Sequence, residues 1–112
     1  MSAITTHILD TSRGCPASAV PIRLEIVEAA GVRELGQGKT DDDGRLKDLL
    51  GDAELVAGRY RIIFDTGAYF AARGIEGFYP EVTIDFEVRD DSQHYHVPLL
   101  LNPFGYSTYR GS

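Results

Sequence analysis

Three histidines are spaced so that their side chains could act together. His94 and His96 are two residues apart, and in an extended strand residues i and i+2 share a face. His7 lies in Ile4-Thr5-Thr6-His7-Ile8-Leu9-Asp10, where alternation sets it with Thr5 and Leu9, opposite Ile4, Thr6 and Ile8. A neutral imidazole, titrating near pH 6.5, can take a proton from water at neutral pH, which is general base chemistry. Arginine adds a planar fork that holds flat, oxygen-rich anions through paired hydrogen bonds. Two histidines at i and i+2 plus a third would also suit zinc, but no tight ligand pattern such as His-Glu-x-x-His is present. A partly exposed structural role fits each histidine as well, so the bare pattern leaves these readings open.

Spacing argues against other chemistries. Cys15 precedes Pro16 in a loop, and no Gly-x-Ser-x-Gly nucleophile elbow occurs. Gly36-Gln37-Gly38-Lys39-Thr40 lacks the four-residue spacer that a phosphate loop places before Gly-Lys. Asp41-Asp42-Asp43-Gly44 has no Asp-x-Asp-x-Asp-Gly register, and Asp52 stands where a calcium loop needs Glu, so a solvated turn is expected. The net charge of −6 argues against a nucleic-acid or anionic-lipid partner, because phosphate is gripped by excess Lys and Arg. No run approaches the roughly 20 apolar residues of a membrane helix. The single cysteine precludes an internal disulfide, and the first twenty residues lack the basic-then-apolar pattern of a leader, so a cytoplasmic address is expected.

The elements that must position these side chains follow from period-two alternation. Ile22, Leu24 and Ile26 share one face of the run from Pro21, and Tyr60, Ile62 and Phe64 share one face of the run from Gly58. Val82, Ile84, Phe86 and Val88 alternate with Glu81, Thr83, Asp85 and Glu87. One short helix is predicted over Thr66 to Arg73, with Thr66 as N-cap and Gly74 as the left-handed stop. At 112 residues the chain is one domain, 1–112. Seven or eight short strands predict an antiparallel sandwich, because the intervals between successive runs are too short for parallel crossovers. In His94 to Leu101 both faces are apolar, with Pro98 and Leu100 beside His94 and His96. A strand covered on both sides in a one-core domain predicts that the His96 face is buried against another copy of the chain.

The ending Tyr109-Arg110-Gly111-Ser112 resembles the signature terminus of the 5-hydroxyisourate hydrolases, also called transthyretin-related proteins. The resemblance runs along the chain, through Thr6-His7-Ile8-Leu9-Asp10-Thr11, Thr40-Asp41-Asp42-Asp43-Gly44-Arg45, Phe64-Asp65-Thr66-Gly67-Ala68-Tyr69-Phe70, Phe78-Tyr79-Pro80-Glu81-Val82 and His94-Tyr95-His96-Val97-Pro98-Leu99-Leu100. It implies an all-β, transthyretin-like antiparallel sandwich of seven to eight strands with one short helix. It implies a homotetramer, a dimer of dimers, with active sites at the dimer–dimer interface. The implied reaction is hydrolysis of 5-hydroxyisourate to 2-oxo-4-hydroxy-4-carboxy-5-ureidoimidazoline in urate degradation, with no metal or organic cofactor. The family's catalytic set carries over to His7, Arg45 and His96, and its substrate-binding terminus to Tyr109, Arg110, Gly111 and Ser112. His96, just before Val97-Pro98-Leu99, matches the catalytic histidine better than His94 does. His7 or His96 would be the base, Arg45 would bind substrate oxygens, and Ser112 would lend its hydroxyl or carboxylate. The alternative is a transthyretin-like carrier holding a small molecule in the dimer–dimer channel. Carriers of that kind are expected to lack the His-Arg-His set and the Tyr-Arg-Gly-Ser ending.

Overall fold

Alternating strands become layers when their apolar sides meet. In the computed structural model, which describes residues 3–112, the strands form two sheets around one core. In chain order the elements are β1 (Ile4–Asp10), β2 (Cys15–Pro16), β3 (Pro21–Glu28), β4 (Gly31–Lys39), β5 (Arg45–Leu46), β6 (Gly58–Phe64), α1 (Thr66–Ala72), β7 (Val82–Val88), β8 (Tyr95–Asn102) and β9 (Gly105–Thr108). One sheet runs β4-β3-β6-β7; the other runs β2-β1-β8-β9, with β5 also paired to β1. The two-sheet sandwich with one short helix expected from the sequence is present, its two shortest strands being two-residue pairings at the edge of β1.

The core is where the alternation puts it. Ile22, Leu24 and Ile26 from β3 and Tyr60, Ile62 and Phe64 from β6 face Ile4 and Ile8 from β1 and Val97, Leu99 and Leu101 from β8, all buried. Each such side chain contributes about 1.5–3 kcal/mol when fully withdrawn from water. On β7 only Val82 and Val88 are buried; Ile84 and Phe86 are half-exposed and border an open hollow at the sheet edge.

Two details differ from the sequence reading. The β1–β8 pair runs parallel, whereas every other pairing among the described strands is antiparallel. No short crossover is needed, because the chain passes through the whole second sheet between β1 and β8. The helix is capped by Asp65, whose carboxylate accepts from the Ala68 N–H at 3.1 Å, and not by Thr66. Thr66 is buried instead, and its hydroxyl donates to the Tyr79 carbonyl at 3.3 Å. Gly74, at φ +69°, ends the helix as expected. Among the described residues no helix is long and apolar enough to cross a membrane.

Candidate functional site

The parallel pairing of β1 and β8 assembles the site. It sets Thr5 opposite His96 and His7 opposite Pro98, while β5 sets Arg45 opposite His7. Three segments far apart in sequence thus meet on the outward face of one sheet.

Arg45 reaches that face because of a local turn. The Asp41 carboxylate accepts from the N–H groups of Asp43 (2.9 Å) and Arg45 (3.0 Å), and the Gly44 N–H donates to the Asp41 carbonyl at 2.9 Å. The two bonds to the carboxylate, that from Arg45 foremost, hold the Asp41 carboxyl below its ordinary range. Gly44 sits at φ +74°, where glycine is favoured, and its carbonyl accepts from the Ile8 N–H at 2.8 Å. A Cβ there would stand 2.5 Å from the Ile8 carbonyl oxygen. The acidic run is therefore the turn that docks β5 onto β1.

The C-terminal tail closes the other side. Beyond β9 the Gly111 N–H donates to the His96 carbonyl at 2.8 Å, forming an isolated antiparallel bridge. The close approach requires glycine: a Cβ on Gly111 would lie 2.5 Å from Cδ2 of His96 and 3.2 Å from Cγ of Pro98. The Thr108 hydroxyl fastens the same segment by donating to the Pro98 carbonyl at 2.7 Å.

Between these parts lies a cavity of about 250 Å³, lined by Thr5, Thr6, Arg45, Lys47, His94, His96 and Ser112. His7, half-buried, stands beside this cavity, opposite Arg45, rather than in its lining. Tyr109 and Arg110 lie on the far side of the tail. They line a second hollow with Ile84, Phe86, Tyr95 and Val97, and His96 borders both hollows. The Arg110 guanidinium stacks 4.6 Å over the Tyr95 ring and donates to Oε1 of Gln93 at 2.9 Å. Within one chain, then, Arg45, His96 and Ser112 converge with His7 adjacent, Gly111 supports His96, and Tyr109 and Arg110 face elsewhere.

Electrostatics favour a neutral His96. Burial pushes its pKa below 6.5, and repulsion from Arg45, His7 and His94 acts in the same direction. An uncharged imidazole beside a guanidinium can accept a proton while the guanidinium binds an anionic oxygen. Among the described residues no three His, Cys, Asp or Glu side chains converge to hold a metal ion. His94 and His96 converge instead on Thr5, whose Oγ1 lies 3.0 Å from Nε2 of His94 and 2.8 Å from Nδ1 of His96. Thr5 and Lys47 were not singled out in the sequence. The only signal is alternation, since Thr5 shares a face with His7, and Lys47 is two residues from Arg45.

The geometry can be set beside known proteins. Residues 4–111 match the family described as HIUase/Transthyretin. The chain is 45% identical over 109 residues to 5-hydroxyisourate hydrolase of Salmonella typhimurium, covering 97% of this chain and 80% of that protein. It superposes on the structure of Klebsiella pneumoniae 5-hydroxyisourate hydrolase with a TM-score of 0.87 and 41% identity, covering 100% of both chains. It also superposes on sea bream transthyretin in complex with thyroxine, with a TM-score of 0.92 and 31% identity over 98% of this chain and 95% of that one.

Proposed function

This chain belongs to the HIUase/Transthyretin family, and from that premise we propose that it is a hydrolase that opens 5-hydroxyisourate to 2-oxo-4-hydroxy-4-carboxy-5-ureidoimidazoline. The observation that carries the reading is the half-buried His96 beside Arg45 in one cavity, where burial and the guanidinium both push the imidazole pKa down. Fold alone does not choose, since the sea bream protein with the same fold holds thyroxine. The paired imidazole and guanidinium favour hydrolysis over carriage.

The chemistry follows from the groups present. Water adds to a carbonyl carbon of the flat bicyclic substrate as His96 takes its proton. Arg45 donates hydrogen bonds to the substrate oxygens and offsets the charge as the tetrahedral oxyanion forms. The carbon–nitrogen bond then breaks, the proton goes to the departing nitrogen, and the new carboxylic acid ionises. His7, opposite Arg45, orients the water or delivers the proton, and Ser112 contributes its hydroxyl or terminal carboxylate. These steps use no metal or organic cofactor.

The active molecule in this reading is a cytoplasmic homotetramer, a dimer of dimers with the His96 face at the dimer–dimer interface. Its support is the half-buried Leu100 on that outward face, where Pro98 is already covered by the chain's own tail, and the aromatic segment beyond it, where Phe104 is 67% and Tyr109 is 58% exposed in the single chain. Assembly is also what would let Tyr109 and Arg110, turned from the cavity in one chain, join Gly111 and Ser112 in substrate binding.

The direct test generates 5-hydroxyisourate in place with urate oxidase and follows its absorbance decay. Decay faster than the spontaneous rate is expected with the protein. A folded tetramer that gives no acceleration would sink the hydrolase reading. Gly111→Ala offers a sharper check. The added methyl must displace the His96 ring or the tail by about 1 Å, a misplacement that can cost about 10²-fold in rate. Wild-type kcat in that variant would show that the contact between Gly111 and His96 does not position the base.

A further inference from the structure

One hydroxyl stands between two imidazoles. Thr5 Oγ1 lies 2.8 Å from Nδ1 of His96 and 3.0 Å from Nε2 of His94. Thr5 is only 7% exposed, and its backbone is locked into the parallel ladder opposite His96. Its side chain, branched at Cβ, is also stiff about χ1. The hydroxyl is therefore held in place by the strand pairing.

A threonine hydroxyl has one proton and two lone pairs, and a neutral imidazole has one protonated nitrogen. Bridging two ring nitrogens, the hydroxyl can donate to only one of them, so the other ring must donate to it. Two arrangements satisfy both neutral rings. Either His96 carries its proton on Nδ1 and gives it to Thr5, or His94 donates from Nε2 while Thr5 donates to His96. The charges around His96 choose between them. Arg45 and Lys47 share its cavity, and a lone pair toward a cation is favoured over an N–H. Nε2 of His96 makes no hydrogen bond among the described residues, so it is the nitrogen free to carry that lone pair.

We propose that Thr5 is a positioning residue: its hydroxyl accepts the Nδ1 proton of His96 and donates its own proton to Nε2 of His94, leaving the His96 lone pair on Nε2. His94 thereby acquires a part that its exposure alone does not suggest. It receives the proton that Thr5 would otherwise turn toward His96, and so keeps the base in its competent tautomer. This role rests on the hydrolase reading for its purpose, but the ring tautomer can be measured without any substrate.

Long-range 1H–15N spectra of the histidine-labelled protein at a pH where His96 is neutral give the first result. His96 is expected to be protonated on Nδ1 in the wild type. Thr5→Val should abolish that preference and lower kcat with KM unchanged. The expected loss is about 10- to 100-fold, by analogy with removing the outer partner of a metal-ligating histidine. Thr5→Ser, which keeps the hydroxyl, should restore both the tautomer and kcat. A wild-type His96 protonated on Nε2, or a folded Thr5→Val with wild-type tautomer and kcat, would overturn the role. If Thr5→Val does not fold, the wild-type tautomer and Thr5→Ser still decide it. A wild type with the Nδ1–H form but no hydrolysis would support the hydrogen-bond arrangement while sinking the hydrolase reading. Hydrolysis with the Nε2–H form would do the reverse.

Discussion

His96→Ala is expected to lower kcat by about 10²- to 10⁴-fold, the range that a positioned general base supplies. The substitution should leave the fold standing. The core side of β8 is Tyr95, Val97, Leu99 and Leu101, and the His96 side chain points away from it. The pH dependence sharpens the test. Burial, then repulsion from Arg45, His7 and His94, hold the folded pKa below 6.5. The wild-type profile of kcat/KM should therefore be flat above about pH 6.5 and fall only at lower pH. Stability has the same sign. Between the folded pKa and 6.5 the unfolded chain binds more protons at this residue, so its contribution is fully present above pH 6.5 and is lost as pH falls through the folded value. His96→Ala should remove both the acid limb of the rate and this part of the acid destabilisation. Retention of the acid limb in a residual activity would assign the base to another group, His7 first.

The elements that a local pattern can specify were legible. The dry faces of β3 and β6 are continuous apolar stripes at period two, and both are buried as read. The helix was legible in place but not in its cap. Asp65 and Thr66 are both good N-cap residues, and the tertiary hydrogen bond from the buried Thr66 hydroxyl to the Tyr79 carbonyl leaves the cap to Asp65. The β1–β8 pairing was not legible, because parallel register is set by which edge of the sandwich remains open after more than eighty residues, not by either strand. The site inherits this division. His7, His94 and His96 show themselves by type and alternation. Arg45 became a candidate only through the family resemblance, since nothing in its turn marks it as chemical until Gly44 docks that turn on Ile8. Alternation placed Thr5 on the His7 face and no more, because its value is a cross-strand distance to His94 and His96 that neither strand specifies alone.

Arg45→Met is expected to lower kcat by about 10²- to 10³-fold, the cost of losing a donor aimed at a developing oxyanion. Methionine keeps an apolar stem, so the β5–β1 pairing and the turn around Asp41 should survive. Those contacts are made by the backbone of residue 45 and by Gly44. A second consequence comes from charge. Arg45 is the leading electrostatic cause, after burial, of the low His96 pKa, so its removal should move the acid limb of kcat/KM upward toward pH 6.5. Arg45→Lys separates the two effects. Lysine restores the positive charge and should return the acid limb toward the wild-type position. It lacks the planar fork, so it should recover only part of kcat. A limb that moves in Arg45→Met and returns in Arg45→Lys, with kcat still depressed, would assign Arg45 two separable tasks: keeping the base unprotonated by its charge, and binding the oxyanion by its shape. Equal recovery of both by lysine would mean that charge alone suffices. Wild-type kcat/KM in Arg45→Met would remove the oxyanion role and leave the reaction to the histidines.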